Sequence, residues 1–233
     1  MLSFIINELC DKIKNIMAFD VKNTTFPSLL DLVLPYNCRG CGKIGKPLCE
    51  CCKKYIIGSS VEIESDKLDK VYAVGIREGV LKELVIEYKY QNRRGFAEVL
   101  AELLANAIPV ELREKLREEK AIVVPLPTIN RHIRERGFDH TVRMAKALAR
   151  CLELEYVPLL KRINNTVQVG ADSEARKQQA KEAYAVDKRI STREVPILLV
   201  DDIWTTGASM TAAAEKIRQA GFKSVSGVVV AQG

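Results

Sequence analysis

Short apolar runs rich in β-branched residues alternate with amphipathic stretches of helical period along most of the chain. VYAVGI (71–76) has strand character. GVLKELVIEYKY (79–90) sets Val80, Leu84, Val85 and Tyr88 at helical spacing. FAEVLAELLANAI (96–108) is a stronger helix, and ELREKLREEK (111–120) reads as a solvated charged helix or connector with i,i+4 support. AIVVPLP (121–127) is a buried strand that prolines end, delivering the chain into a loop. TVRMAKALARCL (141–152) is an amphipathic helix and VPILLV (195–200) a buried strand. SMTAAAEKIRQAG (209–221) is a helix stopped at Gly221, and SVSGVVVA (224–231) is the last strand. Residues 161–182 are mostly polar and of flexible character, and no internal repeat is visible. Strands alternating with helices predict an α/β fold with a parallel sheet and crossover helices.

At the N-terminus, Leu2, Ile5, Ile6, Leu9, Ile13, Ile16 and Met17 fall at helical spacing. Such a helix packs on its own protein, or it meets a membrane surface or a partner. Glu8 and Asp11 interrupt any signal-peptide core, and no small-residue cleavage site follows. No apolar stretch approaches the roughly 20 residues that span a bilayer. The chain therefore reads as cytoplasmic. Its 233 residues suffice for one sizeable domain and a small appendage. An apolar fraction of 47% supports a proper core and argues against wholesale disorder. The formal charge of +6 is modest, and it suits an anionic ligand as well as nucleic acid.

Five of the seven cysteines fall in CRGCGKIGKPLCECC. Cys38-x2-Cys41 and Cys49-x2-Cys52 are two knuckles of the kind that bring paired thiolates to one tetrahedral metal, and Gly40 and Gly42 permit a tight turn. Zinc is the natural occupant of a thiolate cage. An odd cysteine total and the lack of a secretion signal argue against disulfides, and a lone redox CxxC would not need a twin. Cys51 could replace Cys52 as fourth ligand, although the spacing favours Cys52. Cys10 and Cys151 are expected to behave as small apolar residues. Four thiolates with one zinc carry about −2, so the folded protein is less basic than its formal charge. After the knuckles, KKYIIGSSVEIESDKLD reads as a joint to the main domain. The organisation expected is an N-terminal extension (1–28), a metal module (29–58) and a main domain (59–233).

One stretch breaks the logic of a core. ILLVDDIWTTGASM ends an apolar run in Asp201 and Asp202, then gives Thr205, Thr206, Gly207, Ala208 and Ser209 at the start of a helix. In open α/β sheets, ligands bind beyond the carboxyl ends of the strands. Two adjacent carboxylates there offer oxygens to sugar hydroxyls or to magnesium. The following turn points backbone N–H groups at a helix N-terminus, where an anion is favoured. Gly207 lets the backbone approach closely, and Thr205, Thr206 and Ser209 add hydroxyls. A ribose 5-phosphate fits both halves. The plainer alternative is Ser209 as a helix cap beside a solvated aspartate pair.

ILLVDDIWTTGAS resembles the thirteen-residue phosphoribosyl-pyrophosphate motif of type I phosphoribosyltransferases. LLDLVLPYNCRGCGKIGKPLCECCKKYI resembles the zinc module of the ComF family, competence-associated proteins of naturally transformable bacteria and their relatives. VPLPTINRHIRERGFDH resembles that family's VPxP…R…RERGFNQ segment. Together these resemblances cover about residues 29–231. They imply a type I phosphoribosyltransferase fold, with Asp201 and Asp202 holding ribose hydroxyls and Thr205 to Ser209 holding the 5-phosphate. They place the loop after VVPLP at the pyrophosphate, with Arg131, Arg134 and Arg136 nearby. Three arginines in six residues beside a strand end already suit an anion, although a solvated basic helix face has the same composition.

Two segments depart from the family pattern. Asp139-His140 stand where the family has Asn-Gln, and Arg176-Lys177-Gln178-Gln179 where it has R-x-x-N. Both fall where an acceptor substrate or a flexible loop would lie. His140 reads as a surface or packing histidine more readily than as a catalyst. The chemistry implied is magnesium-assisted displacement of pyrophosphate through an oxocarbenium-like transition state, with no covalent nucleophile. The rival reading keeps the same pocket without turnover, as a ligand sensor or an adaptor that docks competence proteins or single-stranded DNA. The aromatic–basic interleaving of single-strand platforms is sparse here.

Overall fold

A computed structural model describes residues 35–90, 94–163, 183–187, 190 and 194–233. The expected N-terminal helix and the segment holding Arg176 to Gln179 lie outside them. The described chain opens with β1 (Tyr36–Asn37) and β2 (Ile44–Gly45), an antiparallel pair, followed by α1 (Glu50–Ile56). The polar joint that follows holds β3 (Val61–Ile63), paired antiparallel to β4 (Val71–Ile76). Three helices come next: α2 (Gly79–Tyr90), α3 (Arg94–Ala107) and α4 (Val110–Glu118). Then follow β5 (Ile122–Pro125), α5 (Asn130–Arg136), α6 (His140–Leu152), β6 (Glu155–Tyr156) and β7 (Leu160–Arg162). The chain closes with β8 (Tyr184–Val186), β9 (Ile197–Trp204), α7 (Ala208–Gln219) and β10 (Val225–Gln232).

The central sheet runs β3-β4-β10-β9-β5-β6, and every pairing except β3 with β4 is parallel. This is the expected α/β architecture, with a small cysteine module on its N-terminal side. Helices cover both faces, because strands buried on both sides leave two apolar surfaces. On one face α2, α3 and α6 pack Leu84, Phe96, Leu100 and Leu148 against Leu198, Val200, Val228 and Val230. On the other, Met210, Ala213 and Ile217 of α7, with Leu160 and Tyr184, cover Ile197, Leu199, Val225 and Val229. Helix α6 starts where Asp139 caps it, accepting from the N–H groups of Thr141 (3.1 Å) and Val142 (3.3 Å). Cys151, expected to behave as a small apolar residue, lies instead on the exposed side of α6.

Two differences from the sequence expectation shape the site. The loop after β5 contains the short helix α5, which collects the three arginines. The strand expected over 195–200 runs on through the aspartates to Trp204. It can do so because β10 lies alongside, with Gln232 opposite Trp204. On its other edge β5 stops at Pro125, opposite Val200, and the Leu126 N–H donates to the Val200 carbonyl at 2.9 Å. Beyond that bond one edge of β9 faces the loop that follows β5. From β5 the chain moves outward to β6, whereas from β9 it moves the other way to β10. The winding reverses between β5 and β9, which makes this the switch point of the sheet.

Candidate functional site

Successive residues of a strand point to opposite faces. Leu198 and Val200 belong to one core cluster, while Ile197 and Leu199 belong to the other. The two aspartates inherit that alternation. Asp202 points to the face of α2 and α6, is buried, and binds groups from both helices. Asp201 falls on the opposite face, the side of Tyr184 and α7, and its Oδ1 accepts from the Asp202 N–H at 2.8 Å. The pair is thus one carboxylate on each side of the strand.

Their electrostatics differ accordingly. Burial, and then the charge of Asp202, push the Asp201 carboxyl well above the usual carboxylate range. Burial acts on Asp202 in the same sense, but the His140 hydrogen bond and the Lys89 ammonium outweigh it and hold Asp202 well below that range. Both partners reach the same oxygen: His140 Nε2 and Lys89 Nζ each lie 2.7 Å from Asp202 Oδ2.

His140, the second residue of the departure from the family pattern, is buried at the head of α6. Its carbonyl accepts from the buried Tyr88 hydroxyl at 2.6 Å, and the two rings meet edge-on at 6.2 Å. Its Nδ1 lies 3.0 Å from Arg136 Nη1. A guanidinium only donates, so Nδ1 accepts and Nε2 carries the hydrogen given to Asp202. Arg136 also stacks over Tyr90, 5.8 Å from the ring centre. Arg131 takes a different place: its Nε donates to Glu135 at 2.7 Å on the exposed side of α5. Arg134 is exposed as well. The loop is braced by Asp139, whose Oδ1 accepts from the hydroxyls of Thr128 (3.0 Å) and Thr141 (2.7 Å). Sequence reasoning did not single out Lys89; the lysine in EYKY carries no local signal of its role.

The turn after β9 delivers Thr205 and Thr206 exposed, then Gly207 with φ +72° as the cap of α7. That left-handed conformation favours glycine. A Cβ there would sit 2.2 Å from the Trp204 ring. Gly207 therefore makes room for the indole packed beneath the turn. Ala208 N–H donates to Thr206 Oγ1 at 3.4 Å, and Ser209 bonds to the Tyr184 side chain, which also accepts from Arg162 Nη1 at 3.1 Å.

The second constellation lies in the cysteine module. The sulfurs of Cys38, Cys41, Cys49 and Cys52 all fall within 4.8 Å of one another, and those of Cys41 and Cys49 are 3.7 Å apart. A tetrahedral ion with arms of about 2.3 Å needs edges of about 3.8 Å, so the four could hold a metal such as zinc. Helix α1 turns Cys52 inward and leaves Cys51 exposed, which settles the choice between them in the cluster. Gly40 is needed for contact: a Cβ there would lie 2.6 Å from Cys52 Sγ. The module is docked on α3, where Tyr36 meets Phe96 edge-on at 5.4 Å and accepts from the Gly95 N–H at 3.0 Å. Lys53 is buried between Glu50 and Glu102. A cleft of about 210 Å³ follows this seam, away from the β9–α7 turn.

No family model matches the chain. Competence protein F of Haemophilus influenzae is 25% identical over 213 residues, covering 81% of this chain and 92% of that protein. Competence protein ComFC of Bacillus subtilis is 27% identical over 146 residues, 61% of this chain and 55% of that protein. These two relatives, matched over much of the chain, support membership of the ComF family. The segments that resemble ComF in sequence, the cysteine knuckles and the loop through Arg136, lie in the two constellations. Among solved structures, the chain is similar to a glutamine phosphoribosylpyrophosphate amidotransferase from B. subtilis complexed with ADP and GMP. The TM-score is 0.41 at 16% identity, over 62% of this chain and 30% of that one. An allosteric regulatory enzyme of purine biosynthesis gives 0.38 at 15% identity, over 62% and 30%. Among the described residues, no helix is long and apolar enough to cross a membrane.

Proposed function

We propose that the β9–α7 turn binds phosphoribosyl pyrophosphate with magnesium, and that the protein transfers the phosphoribosyl group to an acceptor. One observation carries this reading. At the switch point of a parallel sheet, an acidic strand end runs through a left-handed glycine into a helix N-terminus. In this reading the N–H groups of the turn and the hydroxyls of Thr205, Thr206 and Ser209 take the 5-phosphate, with Ala208 in the first turn of α7. Asp201 meets the ribose hydroxyls and magnesium. One or two carboxylates completed by substrate phosphates is a donor set that magnesium accepts. When bound, magnesium neutralises charge on the departing pyrophosphate. Asp201 and Asp202 supply negative charge where the anomeric carbon becomes positive. Arg136 serves the pyrophosphate end, with Arg131 at its outer rim.

The same reading places one zinc in the cysteine tetrad as a structural ion. It treats 29–58 and 59–233 as two units docked through Tyr36 and Lys53, in a cytoplasmic protein. A second reading is a non-catalytic sensor, or an adaptor for competence proteins or single-stranded DNA. It is favoured by the outer face of the module, where Tyr55 is 86% and Ile44 69% exposed near Lys43 and Lys54. Calorimetry with phosphoribosyl pyrophosphate and magnesium tests the shared pocket, and absence of binding at millimolar ligand refutes it. Pyrophosphate release across a panel of nucleobases then separates the readings: release supports the transferase, binding without release the sensor.

A further inference from the structure

Four charged or polar side chains from four separate segments form one continuous line. Lys89 ends α2, Asp202 lies in β9, His140 opens α6 and Arg136 ends α5. The contacts along the line are 2.7 Å, 2.7 Å and 3.0 Å. Its middle is closed to water, since Asp202 is 7% and His140 4% exposed. Its far end is a cation on the loop that faces the open edge of β9. Asp202 has both hydrogen bonds on one oxygen and lies on the opposite face from Asp201.

We infer that Asp202 acts on the ligand through His140: Lys89 and Asp202 hold the ring with its hydrogen on Nε2, and the free Nδ1 aims the Arg136 guanidinium into the crevice. Lys89, Asp202 and His140 are then positioning residues for Arg136. Without the carboxylate, the ring loses the charged acceptor that holds its hydrogen on Nε2, and only the Arg136 contact still favours that tautomer. With the hydrogen on Nδ1, two donors would face each other at Arg136. The fixed tautomer is thus what turns a buried histidine into an acceptor for a cation. Tyr88 fixes the third coordinate by holding the His140 carbonyl. A glutamine amide, which carries a donor and an acceptor on one planar head, can bridge the same two partners. The inference rests on the proposed phosphoribosyl-pyrophosphate site for its ligand, but not for its tautomer.

The test has two arms on the full-length protein. In the first, imidazole nitrogens are labelled with ¹⁵N and read by long-range proton–nitrogen spectra, with His132→Gln removing the other of the two histidines. The His140 ring should show a protonated Nε2 and an unprotonated, accepting Nδ1, and Asp202→Asn should disturb that pattern. A hydrogen on Nδ1, or spectra indifferent to Asp202→Asn, overturns the inference whatever the ligand is. In the second arm, phosphoribosyl pyrophosphate and ribose 5-phosphate are titrated into wild type, His140→Gln, His140→Leu and Lys89→Met. His140→Leu and Lys89→Met should weaken phosphoribosyl pyrophosphate about tenfold or more, the size of one charge-assisted hydrogen bond. Ribose 5-phosphate should change by less than about threefold, and His140→Gln should restore most of the loss. Equal losses for both ligands, or no rescue by glutamine, refute the positioning role. Should His140→Leu fail to fold, His140→Gln and the spectra still decide. If wild type binds neither ligand, the proposed site falls, and the spectra alone judge the line of contacts.

Discussion

Asparagine placed at each of the two adjacent aspartates should move stability in opposite directions. At Asp202 the carboxylate takes two short hydrogen bonds on Oδ2, from a ring 6% exposed and an ammonium 20% exposed. Hydrogen bonds to charged groups contribute about 1.5–3 kcal/mol each. An amide keeps a neutral acceptor but removes the counter-charge of Lys89, and stranding one partner of a buried pair costs about 3–5 kcal/mol. Allowing for the partial exposure of Lys89, Asp202→Asn should cost about 2–4 kcal/mol, a fall in Tm of about 4–15 °C for a chain of this size. At Asp201 the substitution removes a carboxyl that burial and Asp202 disfavour, while the amide oxygen can still accept from the Asp202 N–H. A gain in stability follows. The signs with pH also differ. The raised Asp201 imposes its cost only above the unfolded value of about 3.9, so the gain from Asp201→Asn grows as pH rises from there and vanishes below it. The depressed Asp202 contributes its stability above about 3.9 and loses it as pH falls through its lower folded value, so the Asp202→Asn penalty is full at neutral pH. Scanning calorimetry at pH 4, 5.5 and 7.5, without added magnesium or phosphate, reads both effects. Equal shifts for the two variants, or an Asp202→Asn protein as stable as wild type, would refute the division of the pair.

Three further outcomes are expected. Gly207→Ala forces a left-handed backbone and drives a Cβ into Trp204, costing about 2–4 kcal/mol by thermal unfolding; Trp204→Ala should relieve part of that cost in the double variant, and a Gly207→Ala protein with unchanged Tm would contradict the packing. Elemental analysis should find about one zinc per chain in wild type and in Cys51→Ser, with most of it lost in Cys52→Ser; retention in Cys52→Ser would mean that another residue completes the tetrad. Arg136→Ala should weaken phosphoribosyl pyrophosphate about 10- to 150-fold in calorimetry, while Arg131→Ala, already paired with Glu135, should change it by less than about threefold; equal effects would assign both arginines alike.

The sequence by itself determined what depends on neighbours a few positions away. The 3.6-residue period located α2, α3, α6 and α7 within two residues at either end, and the apolar runs located β4, β5 and β10. The paired CxxC spacing named the four sulfurs, and the order strand, DD, TTGAS, helix named the turn at the end of β9. Tertiary structure decided what depends on partners distant in sequence. That β9 continues through the aspartates follows from β10 running beside it after β5 has stopped. The pleat of that extended strand then sends Asp201 and Asp202 to opposite faces, although the letters DD look like one site. His140 meets Asp202 across 62 positions, so no local pattern could tell a packing histidine from one that bridges a carboxylate and a guanidinium. Lys89 and Trp204 likewise show their roles only once α2 and the turn are in place. Periodicity along one element says which side is buried. Only the packing of elements against each other says which polar groups meet there, because burial obliges each of them to find a partner.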